Sequence, residues 1–140
     1  MLDLSQQKDA HVNKRLQNEK MIWLSTVRPN GRPHLVPVWF FWDGTTILIF
    51  SQPNAQKVRD IRHNSSVMLA LDTAQEGDDV VLIEGDAVLL DPASVNATQS
   101  AYTQKYESWM QRMGSNAEAL AKEYSQPIRV IPTKFISWNE

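Results

Sequence analysis

The stretch MIWLSTVRPNGRPHLVPVWFFWDGTTILIF, residues 21–50, decides the fold. Met21 to Val27 is rich in β-branched and aromatic residues, the composition of a largely buried strand. Pro29-Asn30-Gly31-Arg32-Pro33 follows, and Asn-Gly supplies the positive φ angles of a tight hairpin. Leu35 to Trp42 reads as a second strand, Asp43-Gly44 as another turn, and Thr45 to Phe50 as a third strand. Two hairpin signals so close together predict an antiparallel meander. Pro37 has no N–H to give a ladder, so it belongs on an edge, at a bulge, or where the backbone turns toward a ligand.

The flanks extend this pattern. Residues 4 to 20 predict a surface helix covering one end of the core, with Leu4, Val12 and Leu16 as its few apolar contacts. After the third strand, Asn54 is placed to cap a short helix through His63, with Ala55, Val58 and Ile61 as its narrow apolar face. Ser66 to Leu71 is a fourth strand, Asp72 to Asp79 an acidic loop, and Val80 to Leu90 a fifth strand with Gly85 as a candidate bulge. Asp91-Pro92 opens the longest helix, along which Val95, Tyr102, Tyr106, Trp109 and Met113 recur at helical spacing until Gly114. Ser115 and Glu118 form a capping-box pattern for one more short helix. Pro127 to Trp138 is the sixth strand. The fold class expected is mainly β, a six-stranded antiparallel barrel, closed or partly closed, with short helices.

Composition narrows the function classes. One domain over 140 residues, with 42% hydrophobic and 21% charged residues, is an ordinary globular chain. A formal net charge of −2 is too balanced for a nucleic-acid coat. The absence of cysteine removes disulfides, thiolate metal sites and thiol nucleophiles. No basic head with an apolar run opens the chain, and no apolar stretch approaches a membrane span, so a soluble cytoplasmic protein is expected. His11, His34 and His63 lie in three different elements without metal-ligand spacing and read as surface or turn residues. Glu84 and Asp86 share a strand face, which reads as solvent-facing.

The segment from Phe50 to Lys57 carries more information. It sets a hydroxyl, Ser51, at a strand end, then a loop, then the unpaired N–H groups of a helix start with Lys57 in the first turn. Such a terminus attracts anions, and a cation there opposes the helix dipole unless an anion binds. An ordinary capped helix with an exposed lysine has the same sequence. Between Lys8 and Arg62 there are nine basic residues against four acidic ones, a field that favours an anionic ligand. Five tryptophans exceed the packing needs of a small barrel and suit a flat ligand or a subunit interface.

Residues 23–40 with Asp43-Gly44, Ser51 to Ile61, and Glu84 to Ala87 resemble the pyridoxamine 5'-phosphate oxidase-like flavoproteins, in particular the branch described as deazaflavin-dependent oxidoreductases. The resemblance runs from about residue 15 to 138 and is loose from Asp91 to Gln126. It implies an FMN-binding split barrel, a homodimer with cofactor sites at the interface, and either FMN or the deazaflavin coenzyme F-420 as cofactor. It places Val36, Pro37, Val38 and Trp39 along the flavin ring, Ser51, Gln56 and Lys57 at the phosphate, and Trp138 as an aromatic approaching the ring. For the longer glutamyl tail of F-420, Lys14, Arg15, Lys20, Arg59 and Arg62 are the cations at hand. His34, Trp39 and Gln56 stand where the vitamin B6 oxidases carry arginine, lysine and arginine, which argues against oxidation of pyridoxamine phosphate. The expected function is hydride transfer between the cofactor and a small organic substrate, with a non-catalytic flavin carrier or sensor as the alternative.

Overall fold

A computed structural model describes residues 1–72 and 77–139. Seven strands form one sheet: β1 (Ile22–Val27), β2 (Pro33–Val38), β3 (Phe41–Trp42), β4 (Ile47–Ser51), β5 (Ser66–Leu71), β6 (Asp79–Leu89) and β7 (Gln126–Asn139). Their order is β2-β1-β5-β6-β7-β4-β3, and every pairing is antiparallel. The described residues also form helices α1 (Gln7–Asn18), α2 (Gln56–His63), α3 (Asn96–Arg112) and α4 (Ala117–Glu123). The architecture is the expected mainly β half-barrel with short helices. The acidic loop expected from Asp72 lies in part, at 73–76, outside the described residues.

The strand count is seven rather than six because the second expected strand breaks after Val38. Phe40 leaves the ladder, and its backbone is satisfied from α3 instead. Its N–H donates to the Tyr106 hydroxyl at 2.8 Å, its carbonyl accepts from Lys105 Nζ at 2.7 Å, and the one Tyr106 proton is shared between the Phe40 and Lys20 carbonyls, each 2.8 Å from the hydroxyl. Phe41 and Trp42 then pair with Leu48 and Ile47 as a separate edge. β2 is the other edge, where the missing N–H of Pro37 is tolerated. Both turns form as read: Gly31 has φ +87° and Gly44 φ +99°, and the Asp43 carboxylate accepts from the backbone of Thr45 and Thr46 at 2.8 and 2.6 Å.

Gly85 marks a register shift between β6 and β7. A Cβ there would meet the Ile131 carbonyl oxygen and Val130 Cγ1, both at 2.8 Å, so only glycine fits without movement. The concave side of the sheet buries Leu24, Phe40, Ile49, Leu69, Ile83 and Ile128 together with Val12 and Leu16 of α1 and Val58 of α2.

Three helix starts differ from expectation. α2 begins after Ala55, with no side-chain cap, because Gln52 to Ala55 closes a turn that takes up Asn54. Asp91 caps a short 3-10 turn, Pro92–Val95, ahead of α3, its carboxylate accepting from Ala93 N at 3.0 Å. α4 is capped by Asn116, which accepts from Ala119 N at 2.9 Å, not by a Ser115–Glu118 box.

Candidate functional site

The break after Val38 brings strand ends and helices around one cavity of about 290 Å³. The sheet contributes Pro37 and Val38 from the end of β2, with Trp39 just after it, and Phe50 from β4. α2 contributes Lys57, α3 and α4 contribute Tyr102, Met110, Ala117, Leu120, Ala121 and Tyr124 among others, and Met113 lies just past the end of α3. An aromatic row underlies it. Trp39 stacks on Tyr106 at 4.4 Å with planes 2° apart, Tyr106 meets Tyr102 at 5.1 Å, and Tyr102 meets Phe50 edge-on at 4.8 Å. Tyr106 is fully buried, and its hydroxyl bonds to Phe40 and the Lys20 carbonyl, which fixes the surface against which Trp39 lies.

Lys57 is half-buried in the first turn of α2. Burial pushes its ammonium below the ordinary lysine range, and among the described residues no carboxylate opposes that shift. The Gln56 and Lys57 amides belong to the first turn, where a helix has no acceptor of its own to offer. Of these groups, Lys57 lines the cavity.

The other residues expected at the site divide. Ser51 is buried at the end of β4, and its hydroxyl donates to the Gln52 carbonyl at 2.9 Å. Gln56 donates to Asp60 at 2.6 Å and accepts from Arg59 at 2.8 Å, so its amide is occupied along the helix. Asp60, fully buried, also accepts from the Thr26 hydroxyl at 2.7 Å and ties α2 to β1. Val36 faces inward against the core. Trp138 lines a different hollow, of about 490 Å³, with Lys8, His11 and Asp79. Of the cations considered for a cofactor tail, Arg15 is buried against Glu19, Asp79 and the Asp72 carbonyl, and Lys20 donates to the Lys105 carbonyl at 3.0 Å. His11 lies 2.7 Å from Asp79, and among the described residues no group of three ligands is arranged for a metal. Sequence reasoning missed the α3–α4 wall, although Ala117, Leu120, Ala121 and Tyr124 carry the spacing of one helix face.

The model for the family described as pyridoxamine 5'-phosphate oxidase matches residues 9–139. The chain belongs to the pyridoxamine 5'-phosphate oxidase family. No curated protein matches it in sequence. Solved structures carry the same fold. A conserved hypothetical protein of Mycobacterium tuberculosis is 20% identical with a TM-score of 0.76, covering 93% of this chain and 83% of that one. An F420 reductase is 23% identical with a TM-score of 0.68, covering 89% and 94%. The heme storage protein HutZ of Vibrio cholerae is 15% identical with a TM-score of 0.68, covering 94% and 95%. In this member of the pyridoxamine 5'-phosphate oxidase family no described helix is long and apolar enough to cross a membrane.

Proposed function

We propose that the protein is an oxidoreductase that binds FMN or coenzyme F-420 in the cavity between β2, α2 and α3–α4 and transfers a hydride between that cofactor and a small organic substrate. The observation that carries the reading is Lys57: a half-buried cation with no acid partner among the described residues, in an uncapped helix turn, lining a mostly apolar cavity. The residues present fit a phosphate-bearing planar group. Lys57 and the first amides of α2 are donors for the phosphate, and the Ser51 hydroxyl joins them by turning from the Gln52 carbonyl. Pro37 and Val38 offer an edge backbone to the ring, and Trp39, braced by Tyr106, gives it a flat wall. When bound, a flavin-type ring supplies the hydride chemistry, and the protein supplies orientation and exclusion of water. The Met110, Leu120 and Ala121 side chains do the excluding.

Assembly as a homodimer belongs to the same reading. On the outer face of the sheet, Leu35, Ser25 and Met68 lie side by side, as do Pro37, Trp23 and Ala70. Leu35, Trp23 and Met68 are 59%, 37% and 36% exposed, an apolar surface suited to a second copy. Pro37 stands on both this face and the cavity, so a second copy there would reach a residue that lines the cavity.

A second reading, a flavin carrier or sensor without turnover, is favoured by one observation: among the described lining residues no carboxylate or histidine stands ready to move a proton. Absorbance titration of the purified protein with FMN and with F-420, followed by anaerobic turnover of the reduced cofactor with unsaturated acceptors, separates the possibilities. Binding with turnover supports the oxidoreductase, binding without turnover the carrier, and no binding removes both.

A further inference from the structure

α4 presents an anomaly. Ala117, Leu120, Ala121 and Tyr124 form the apolar stripe of an amphipathic helix, which ordinarily buries itself against a core. Here none of the helix's residues is buried, and the stripe lines the cavity. Met110 of α3 and Met113 just past its end continue that wall, and methionines adapt to varied apolar shapes.

Within this wall two tyrosine hydroxyls, those of Tyr102 and Tyr124, have no hydrogen-bond partner among the described residues, and Tyr102 is the less exposed of the two. Tyr102 lines the cavity and makes ring contacts with Phe50 and Tyr106, but no described residue hydrogen-bonds its hydroxyl. Burial pushes its phenol well above the ordinary tyrosine range, so it remains a donor at any physiological pH.

Charge completes the picture. Lys57 is the single charged side chain among the described residues that line the cavity. On the reading above, on which this inference rests, Lys57 serves the cofactor phosphate. A substrate with its own phosphate or carboxylate would then share the cavity with that anion and find no second cation, and its desolvation would go uncompensated.

We propose that the α3–α4 wall is the substrate seat and takes an uncharged, largely apolar molecule with one hydrogen-bond-accepting oxygen, such as an aryl ketone, held by the Tyr102 hydroxyl. The selection works by omission. Pyridoxamine phosphate, a charged polar molecule, meets a surface of methionine, leucine and alanine there.

The test is calorimetric binding to the full chain, with and without saturating FMN, of benzophenone, of diphenylmethane (the same skeleton without the carbonyl) and of pyridoxamine 5'-phosphate. Benzophenone is expected to bind in both conditions, about three- to tenfold more tightly than diphenylmethane, the difference one neutral hydrogen bond gives. Tyr102→Phe should abolish that preference and leave diphenylmethane binding unchanged. Leu120→Glu should weaken both by about tenfold or more, with an unaltered circular dichroism spectrum. Irradiating bound benzophenone should attach it to Met110, Met113 or a neighbour, read by mass spectrometry. Displacement of benzophenone by FMN overturns the proposal while leaving the cofactor reading intact, as does tighter binding of pyridoxamine 5'-phosphate to the FMN-loaded protein. A preference unaffected by Tyr102→Phe also overturns it. Should FMN itself fail to bind, the cofactor reading fails, and the Tyr102-dependent preference still decides for or against the seat.

Discussion

Lys57 sits where its charge costs the isolated protein something, because burial disfavours the ammonium and no carboxylate among the described residues repays it. A bound phosphate reverses that balance. Lys57→Gln is therefore expected to weaken FMN by about 1.5–3 kcal/mol, the range of a charge-assisted hydrogen bond, when affinity is followed by flavin fluorescence. Affinity in the unaltered protein should also decline at alkaline pH as Lys57 loses its proton, and this decline should vanish in the variant. Lys105 gives a second, independent signal. Burial first, then the neighbouring Lys20 charge, lowers its value to about 7, with Glu19 pulling the other way. Since an unfolded lysine titrates near ~10.4, the unfolded chain holds the extra proton above about pH 7, and stability must rise with pH through that window. Below about pH 7 both states are protonated and the penalty is constant. Urea unfolding should record this rise, and Lys105→Met should remove it while keeping an apolar stem near the Phe40 ring, which Nζ approaches to 3.7 Å. An equal slope in both proteins would show that Lys105 stays charged throughout.

Elements explain what was legible in the sequence and what was not. Ser66–Leu71 runs between the residues expected of it, and the two glycine turns hold the positive φ angles their composition demanded. These features depend on neighbours in the chain, so local sequence contains them. The break between β2 and β3 does not: its agents, Lys105 and Tyr106, lie 65 and 66 residues from Phe40. The aromatic spacing that announced Tyr106 as helical could not say that its hydroxyl fastens α3 to a strand end. Tyr106→Phe keeps the stack on Trp39 but leaves the buried Phe40 N–H without its acceptor, an expected cost of about 1–3 kcal/mol in chemical unfolding. The α4 stripe was hidden for another reason, since the same periodicity arises whether a helix faces a packed core or a cavity. Gly85 is the opposite case, a local signal with a long-range cause. Gly85→Ala must displace the Ile131 carbonyl or the Val130 side chain across the β6–β7 ladder, and a loss of roughly 1–3 kcal/mol in midpoint stability is expected.

For the molecule as a whole, the cavity and the outer sheet face are one problem. Pro37 belongs to both, so whatever covers Trp23, Leu35 and Met68 also reaches a residue that lines the cavity. An apolar sheet face of this kind, left in water, is an association surface, and charge at its centre opposes association because desolvating an unpaired carboxylate outweighs the remaining apolar gain. Sedimentation equilibrium is expected to find a dimer for the unaltered chain. Leu35→Asp combined with Met68→Glu should give a folded monomer, because both side chains already contact solvent in the single chain and neither belongs to the core. If a second copy closes the cavity, that monomer should bind FMN at least tenfold more weakly, although Lys57, Ser51 and Trp39 are untouched. A monomer that retained full affinity would separate the two roles of the sheet, leaving Pro37 as a wall of a self-sufficient site. An unaltered chain that sedimented as a monomer with cofactor bound would remove the interface altogether.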